Sequence, residues 1–213
     1  MSGTLDQAII DRAVAYHGSL CPGLAVGIQA ARLALREVGR AGEDNRVVAV
    51  AETDICAVDA IQSLVGTTMG NRNLVIHDWG KNAFTFFRAS DGKAVRIAGR
   101  PAWASDYQTL RMRVHSGRAA PEEVARFRQA NAAEVERILA MAPEELYEVQ
   151  EVDAAPPATS KVDGWTTCAA CGEVVMETRA RARRGQTLCV PCFEQALAAG
   201  PRHRRRPEAM AGV

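Results

Sequence analysis

The chemistry-bearing residues of this chain fall into two groups, both built on cysteine. In the first, His17 stands one helical turn before Cys21 in the stretch His17-Gly18-Ser19-Leu20-Cys21-Pro22-Gly23. Pro22 suits the first turn of a helix, because its fixed φ is helical and its missing N–H is one that turn leaves unpaired. Cys21 then falls at or beside the N-cap, where the positive end of the helix dipole favours a thiolate. A third soft donor, Cys56, follows an apolar run of strand length. The bland alternative is that Cys21 and Cys56 are small buried hydrophobes. The second group is Cys168, Cys171, Cys189 and Cys192, two Cys-x-x-Cys pairs. Two such pairs can wrap one tetrahedral Zn²⁺ in a closed structural site. Redox pairs are the competing reading, and the missing glycine after the second pair weighs against rubredoxin-type iron.

Elements can be assigned around these donors. Leu5–Tyr16 reads as an amphipathic helix with Leu5, Ile9, Ala13 and Tyr16 on its apolar face. From Leu24 the residues Gly27, Ile28, Ala31, Leu35 and Val38 keep a helical period, so a core helix is predicted over Pro22–Val38, ended by Gly39. Val47–Ala51 is continuously apolar and predicts a buried strand. It leads through Glu52, Thr53, Asp54 and Ile55 to Cys56, and functional groups commonly gather at such strand ends. Ala57–Val65 predicts a second helix with Asp59 facing Cys56. Leu74–His77 predicts another strand, and Phe84–Arg88 with Ala94–Ile97 a hairpin around Asp91-Gly92. Helices are expected over Ala104–Val114 and Glu122–Met141, then a half-exposed strand over Leu146–Val152. Helices and strands are thus both expected around the first donors, and a small zinc domain of treble-clef-like order around the second.

A composition change marks the boundary. The expected organisation is a metal-binding domain over 1–152, a proline-bearing linker over 153–164, a zinc-binding domain over 165–200 and a basic disordered tail over 201–213. Within the zinc domain, Glu173–Arg179 and Thr187-Leu188 are expected to form a hairpin, with a helix over Phe193–Ala199.

The chain has 213 residues, 47% hydrophobic and 24% charged, which is ordinary for a globular protein. A net charge of +1 argues neither for nor against nucleic acid or membrane, and nucleic acid is not an expected partner. The N-terminal stretch lacks signal-peptide order, and no run approaches the ~20 apolar residues of a membrane span. No membrane association and a cytoplasmic location are expected. Lysines are only Lys81, Lys93 and Lys161, which draws attention to Lys81 after Gly80 as an anion contact.

The stretch from His17 to Ala31, together with that from Ala51 to Phe87, resembles the FmdE family of formylmethanofuran dehydrogenase proteins. Many members of that family also carry a C-terminal four-cysteine module. The resemblance implies an α+β core, a metal held at the positions of His17, Cys21 and Cys56, and an intertwined homodimer. The sequence departs from the family pattern at Ser19, where many members carry a second histidine, and at Met69 and Trp79, where phenylalanine and tyrosine are usual.

Three functions follow. The first is a metal-binding accessory or subunit-like protein linked to molybdenum or tungsten formylmethanofuran-type one-carbon metabolism, with oxidoreductase chains as partners. The second is a metal-dependent enzyme acting on a small anionic or pterin-like ligand, with Asp54 or Asp59 carrying protons and Lys81 binding the anion. The third is a zinc-finger regulatory protein touching nucleic acid or a partner chain. Zn²⁺ is expected at the four-cysteine site, and a second divalent metal, Zn²⁺ by ligand softness, at the N-terminal one.

Overall fold

The computed structural model describes residues 6–101, 105–158 and 164–199. The chain divides into two compact units, Met1–Thr159 and Ser160–Val213. The basic tail and part of the expected linker lie outside the described residues; Asp153–Ala158 carries neither helix nor strand.

In the first unit the order is α1 (Gln7–His17), α2 (Pro22–Val38), β1 (Val47–Ala51), α3 (Ala57–Ala60) continued by a π-helical turn (Ile61–Val65), β2 (Leu74–Ile76), β3 (Ala83–Arg88), β4 (Ala94–Gly99), α4 (Ser105–His115), α5 (Pro121–Ala140), α6 (Pro143–Leu146) and β5 (Tyr147–Glu151). The five strands form one mixed sheet in the order β2-β1-β3-β4-β5. β2 runs parallel to β1, and the other neighbours are antiparallel. The fold is α+β, a mixed sheet with packed helices, as the family resemblance implies. β1 is buried along its whole length because both its faces are covered. Val47, Ala49 and Ala51 join the main core with α1, α2, α3 and α5, whereas Val48 and Val50 pack with Phe87 and Ala94 in a smaller cluster.

The helix α2 is the centre of that core, with twelve of its seventeen residues buried. Its ends are where Pro22 and Gly39 put them. A Cβ on Gly27 would lie 2.5 Å from the Ala57 Cα, 2.7 Å from the Ala57 carbonyl oxygen and 2.9 Å from the Ala60 Cβ. The glycine therefore exists for close approach of α3, which backbone atoms cannot relieve by a rotamer change. Gln29, fully buried on the same helix, donates its amide to the Ile138 and Met141 carbonyls at 2.7 and 3.0 Å, holding the C-terminal end of α5. Tyr147 opens β5 in the core, with its hydroxyl 3.0 Å from the Val26 carbonyl. Burial holds that phenol well above its ordinary pKa, so it stays neutral.

Three expectations are corrected. Tyr16 is 53% exposed rather than inward. The inward row of α1 runs Ile9, Ala13, His17 at the i, i+4 spacing, so its last member is the histidine. The helix after Cys56 does not stay α-helical; it widens over Ile61–Val65, where the Val65 carbonyl accepts from the Ala41 N–H at 2.7 Å. The final strand begins at Tyr147, since Pro143 starts a helical turn that takes up Leu146.

The second unit contains β6 (Trp165–Thr167), β7 (Val174–Met176), a 3₁₀ turn (Glu177–Arg179), β8 (Arg181–Arg183), β9 (Gln186–Leu188) and α7 (Val190–Ala198). The expected pairing of Glu173–Arg179 with Thr187-Leu188 is wrong. β6 pairs with β7, and β8 with β9, each antiparallel. Arg184 and Gly185 both take positive φ, 50° and 76°, which is the two-residue turn that matches strand twist. That turn closes β8 on β9, and β7 is left to the strand before the first cysteine pair. Here α7 starts at Val190 rather than Phe193, with Cys189 as its N-cap residue.

Alanine is the better helix former by ~1 kcal/mol, so Gly27→Ala would stabilise α2 if only propensity mattered. The contact with Ala57 reverses the sign. Denaturant unfolding should show Gly27→Ala destabilised by about 1–3 kcal/mol; equal or higher stability would sink the close-approach reading.

Candidate metal centres

The first centre forms where three element ends meet. His17 is the last residue of α1, Cys21 caps α2, and Cys56 precedes α3. One ligand atom from each lies within 4.8 Å of the others. The Cys21 sulfur accepts the Leu24 N–H at 3.3 Å, the N-cap interaction that the Cys-Pro-Gly order predicts. Gly23 then supplies the space. A Cβ there would stand 3.1 Å from the Cys56 Cβ and 3.4 Å from its sulfur, so a side chain would press on the cysteine.

Asp59 sets the orientation of the imidazole. Its Oδ2 lies 2.7 Å from His17 Nδ1, while Gln62 donates to its Oδ1 at 3.3 Å. A proton on Nδ1 makes that contact a hydrogen bond and leaves the Nε2 lone pair on the opposite side of the ring. Nε2 is the atom that faces Cys21, at 3.8 Å. A carboxylate holding the far nitrogen of a ligand histidine is the usual support of a metal-bound imidazole. Burial, and then the neighbouring Cys21, push the Cys56 thiol up. Two thiols this close repel as thiolates, and a cation between them relieves that. The donor set therefore fits a borderline-soft divalent ion with one coordination position left over.

The remaining sequence candidates lie elsewhere. Asp54 is exposed and is not part of the three-donor group. Asp59 does not face Cys56 alone; it reaches His17, a partner forty-two residues away that local spacing cannot reveal. Lys81 is exposed, its ammonium 5.7 Å from the Trp79 ring centre. His77 is exposed just past β2 and lies 5.3 Å from the same ring, so it is not a core histidine. Two residues went unremarked in the sequence. Glu52 and Arg96 form a two-pronged ion pair, both contacts 2.9 Å, with Glu52 only 5% exposed. An acid ending one apolar strand and an arginine inside another were the signal.

The second centre is the four-cysteine group, whose sulfurs also lie within 4.8 Å of one another. The first pair sits on a turn where the Gly172 N–H donates to the Cys168 carbonyl at 2.9 Å, and Gly172 takes φ +77°. The second pair straddles the start of α7. Cys168 and Cys189 are buried with Leu188, against Val175 and Phe193. The amides of Cys171, Cys189 and Ala170 hold the Cys168 thiol down to about 6. The Cys189 sulfur, and then burial, push Cys192 up to about 12. Four sulfurs this close cannot all ionise unaided. A Zn²⁺ ion resolves the conflict.

Residues 16–148 match the family described as FmdE, molybdenum formylmethanofuran dehydrogenase operon. The chain belongs to the FmdE family. Residues 164–196 match the prokaryotic dksA/traR C4-type zinc finger, so the FmdE-like unit is followed by a zinc-finger module. A probable S-adenosyl-L-methionine-binding protein of Archaeoglobus fulgidus is 30% identical over 193 residues, 85% of this chain and 51% of the relative. The chain thus spans about half the length of the curated relative it matches. The crystal structure of a tungsten formylmethanofuran dehydrogenase FmdE-like protein from Syntrophus aciditrophicus shares the fold. Its TM-score is 0.61 at 20% identity, over 89% of this chain and 92% of that one. Among the described residues no helix is long and apolar enough to cross a membrane.

With so few apolar contacts of its own, the zinc-finger module depends on its metal. Cys189→Ser in the full chain should lower zinc content by about one ion per chain and expose the amides of 164–199 to hydrogen exchange. Full zinc content with unchanged protection would contradict this.

Proposed function

We propose that the chain is a metal-binding accessory protein of the FmdE type, serving a molybdenum or tungsten oxidoreductase of formylmethanofuran-type one-carbon metabolism. Its first unit would hold a divalent ion, zinc by donor softness, through His17 Nε2, Cys21 Sγ and Cys56 Sγ. The observation that carries this is the Asp59–His17 contact, which turns Nε2 toward the sulfurs. When bound, the ion supplies a Lewis acid with an exchangeable position. The chain's own groups do the rest. Asp59 keeps the Nδ1 proton in place, the Leu24 amide donates to the Cys21 sulfur at the start of α2, and Gly23 leaves the Cys56 sulfur room. The description of the matching family supports the metabolic assignment.

A second reading, an enzyme or carrier for a small anionic or pterin-like ligand, is favoured by Lys81 and by a relative named for S-adenosyl-L-methionine binding. A third reading, a regulatory role for the zinc-finger module, rests on the match of residues 164–196 to that finger alone. A homodimer is part of the proposal. Tyr16, Leu20 and Ile55, each beside a ligand residue in sequence, are exposed apolar side chains of the kind a second copy covers.

Elemental analysis of the full chain tests the first centre. Cys21→Ser should lose about one metal ion per chain and keep the zinc of the second unit. Asp59→Asn should weaken the first ion's binding about ten- to a hundredfold, since the amide loses the charge that supports the imidazole. Wild-type metal content in Cys21→Ser would make that cysteine a core residue only.

The dimer is checked by light scattering at micromolar concentration. Twice the chain mass is expected, and Leu20→Asp should shift the equilibrium toward monomer.

A further inference from the structure

Trp79 is 62% exposed and yet held on a stiff turn. Its N–H donates to the Glu52 carbonyl at 3.1 Å, and the Lys81 N–H donates to the same oxygen at 2.9 Å. The Gly80 N–H is taken by Asp78 Oδ1 at 3.2 Å, and Gly80 has φ +66°, where a side chain would be strained. Glu52 itself is fixed by its two contacts to Arg96. The turn thus hangs from the C-terminal end of β1, from which the chain runs through Thr53, Asp54 and Ile55 to Cys56.

Around the indole stand two further groups. The His77 ring lies 5.3 Å away at 35°, and the Lys81 ammonium stands 5.7 Å over the ring face. Lys81 is exposed, and its ammonium makes no ion pair among the described residues. The neighbouring carboxylate, Asp78, is turned to the Gly80 amide. A fixed indole presents a flat π face to any planar heterocycle, and an ammonium on a flexible stem can leave that face for a nearby anion. Neither feature is used by the three-donor centre.

We propose that His77, Trp79 and Lys81 form a stacking site for a planar heteroaromatic ligand that carries an anionic group, a purine nucleotide or a pterin carboxylate. The ligand ring takes the indole face that Lys81 covers, the ammonium moves to the ligand's anion, and His77 borders the ring. This deepens the second reading above and rests on it for the link to chemistry. The site shares no side chain with His17, Cys21 or Cys56, so the two fail separately.

Calorimetry on the full chain tests the site with four probes: adenosine monophosphate, folate, adenosine and ribose 5-phosphate. Adenosine monophosphate or folate should bind, and whichever does identifies the purine or the pterin class. Trp79→Ala should weaken the bound probe about tenfold. Lys81→Met should weaken it about fivefold and leave adenosine unchanged, because only the charge is lost. Ribose 5-phosphate should bind far more weakly than either ring compound. Trp79→Ala should keep the wild-type metal content, so that loss of ring binding is read separately from loss of the first ion. Absence of binding by both adenosine monophosphate and folate at millimolar concentration overturns the proposal. So does Trp79→Ala that binds as the wild type does. Trp79→Ala that turns a dimer into a monomer, in a protein that binds none of the probes, makes the indole a contact between copies instead.

Discussion

The structure of the first unit depends on how closely two helices approach. Along α2, Gly27 lets the backbone of α3 come to van der Waals contact, and Gly23 does the same for Cys56 one turn earlier. Cys21 and Cys56 sit at the starts of these two helices. Their separation is thus fixed by helix packing and not by a loop. Loops tolerate small shifts, whereas close-packed backbones do not. The absent side chains at 23 and 27 bring the donors together as surely as the cysteines themselves.

The two cysteine-based centres solve a common problem differently. Thiols crowded together resist ionising. In the first unit the Leu24 amide donates to the Cys21 sulfur, and Asp59 orients the imidazole toward it. In the second, three backbone amides converge on Cys168. The first centre is set into a large apolar core that exists without it. The second is itself the core, for Leu188 and two of the cysteines are its buried residues. The core of the first unit would stand without a cation, whereas the second unit's core is built around one.

Local signals were legible wherever the cause was local. Pro22 and Gly39 mark both ends of α2, Asp91-Gly92 marks the β3–β4 turn, and the cysteine spacing marks the zinc finger. What escaped was caused by contacts across the chain. Gly27 reads in sequence as one more apolar helix residue, because nothing nearby says that Ala57 will lie against it. Asp59 reads as a neighbour of Cys56, since its partner is on a helix far upstream. No periodicity in Ile61–Val65 announces the π-helical widening after Ala60. The mispaired zinc-finger strands were the exception. Arg184-Gly185 is a local turn signal between β8 and β9, and the expected hairpin of Glu173–Arg179 with Thr187-Leu188 passes over it.

Gln29 has a consequence of a different kind. Its amide nitrogen spans two carbonyls at the end of α5, and its oxygen takes the Arg32 guanidinium at 2.6 Å. The position needs a donor and an acceptor on one short, fully buried side chain. Glutamate would turn a charged acceptor on two carbonyl oxygens, and leucine would strand all three partners. Nor can α5 creep along α2, since a shift of one residue, ~1.5 Å, carries the carbonyls out of reach. The long helix is therefore indexed like a gear tooth in a slot: seated at one register, or not seated.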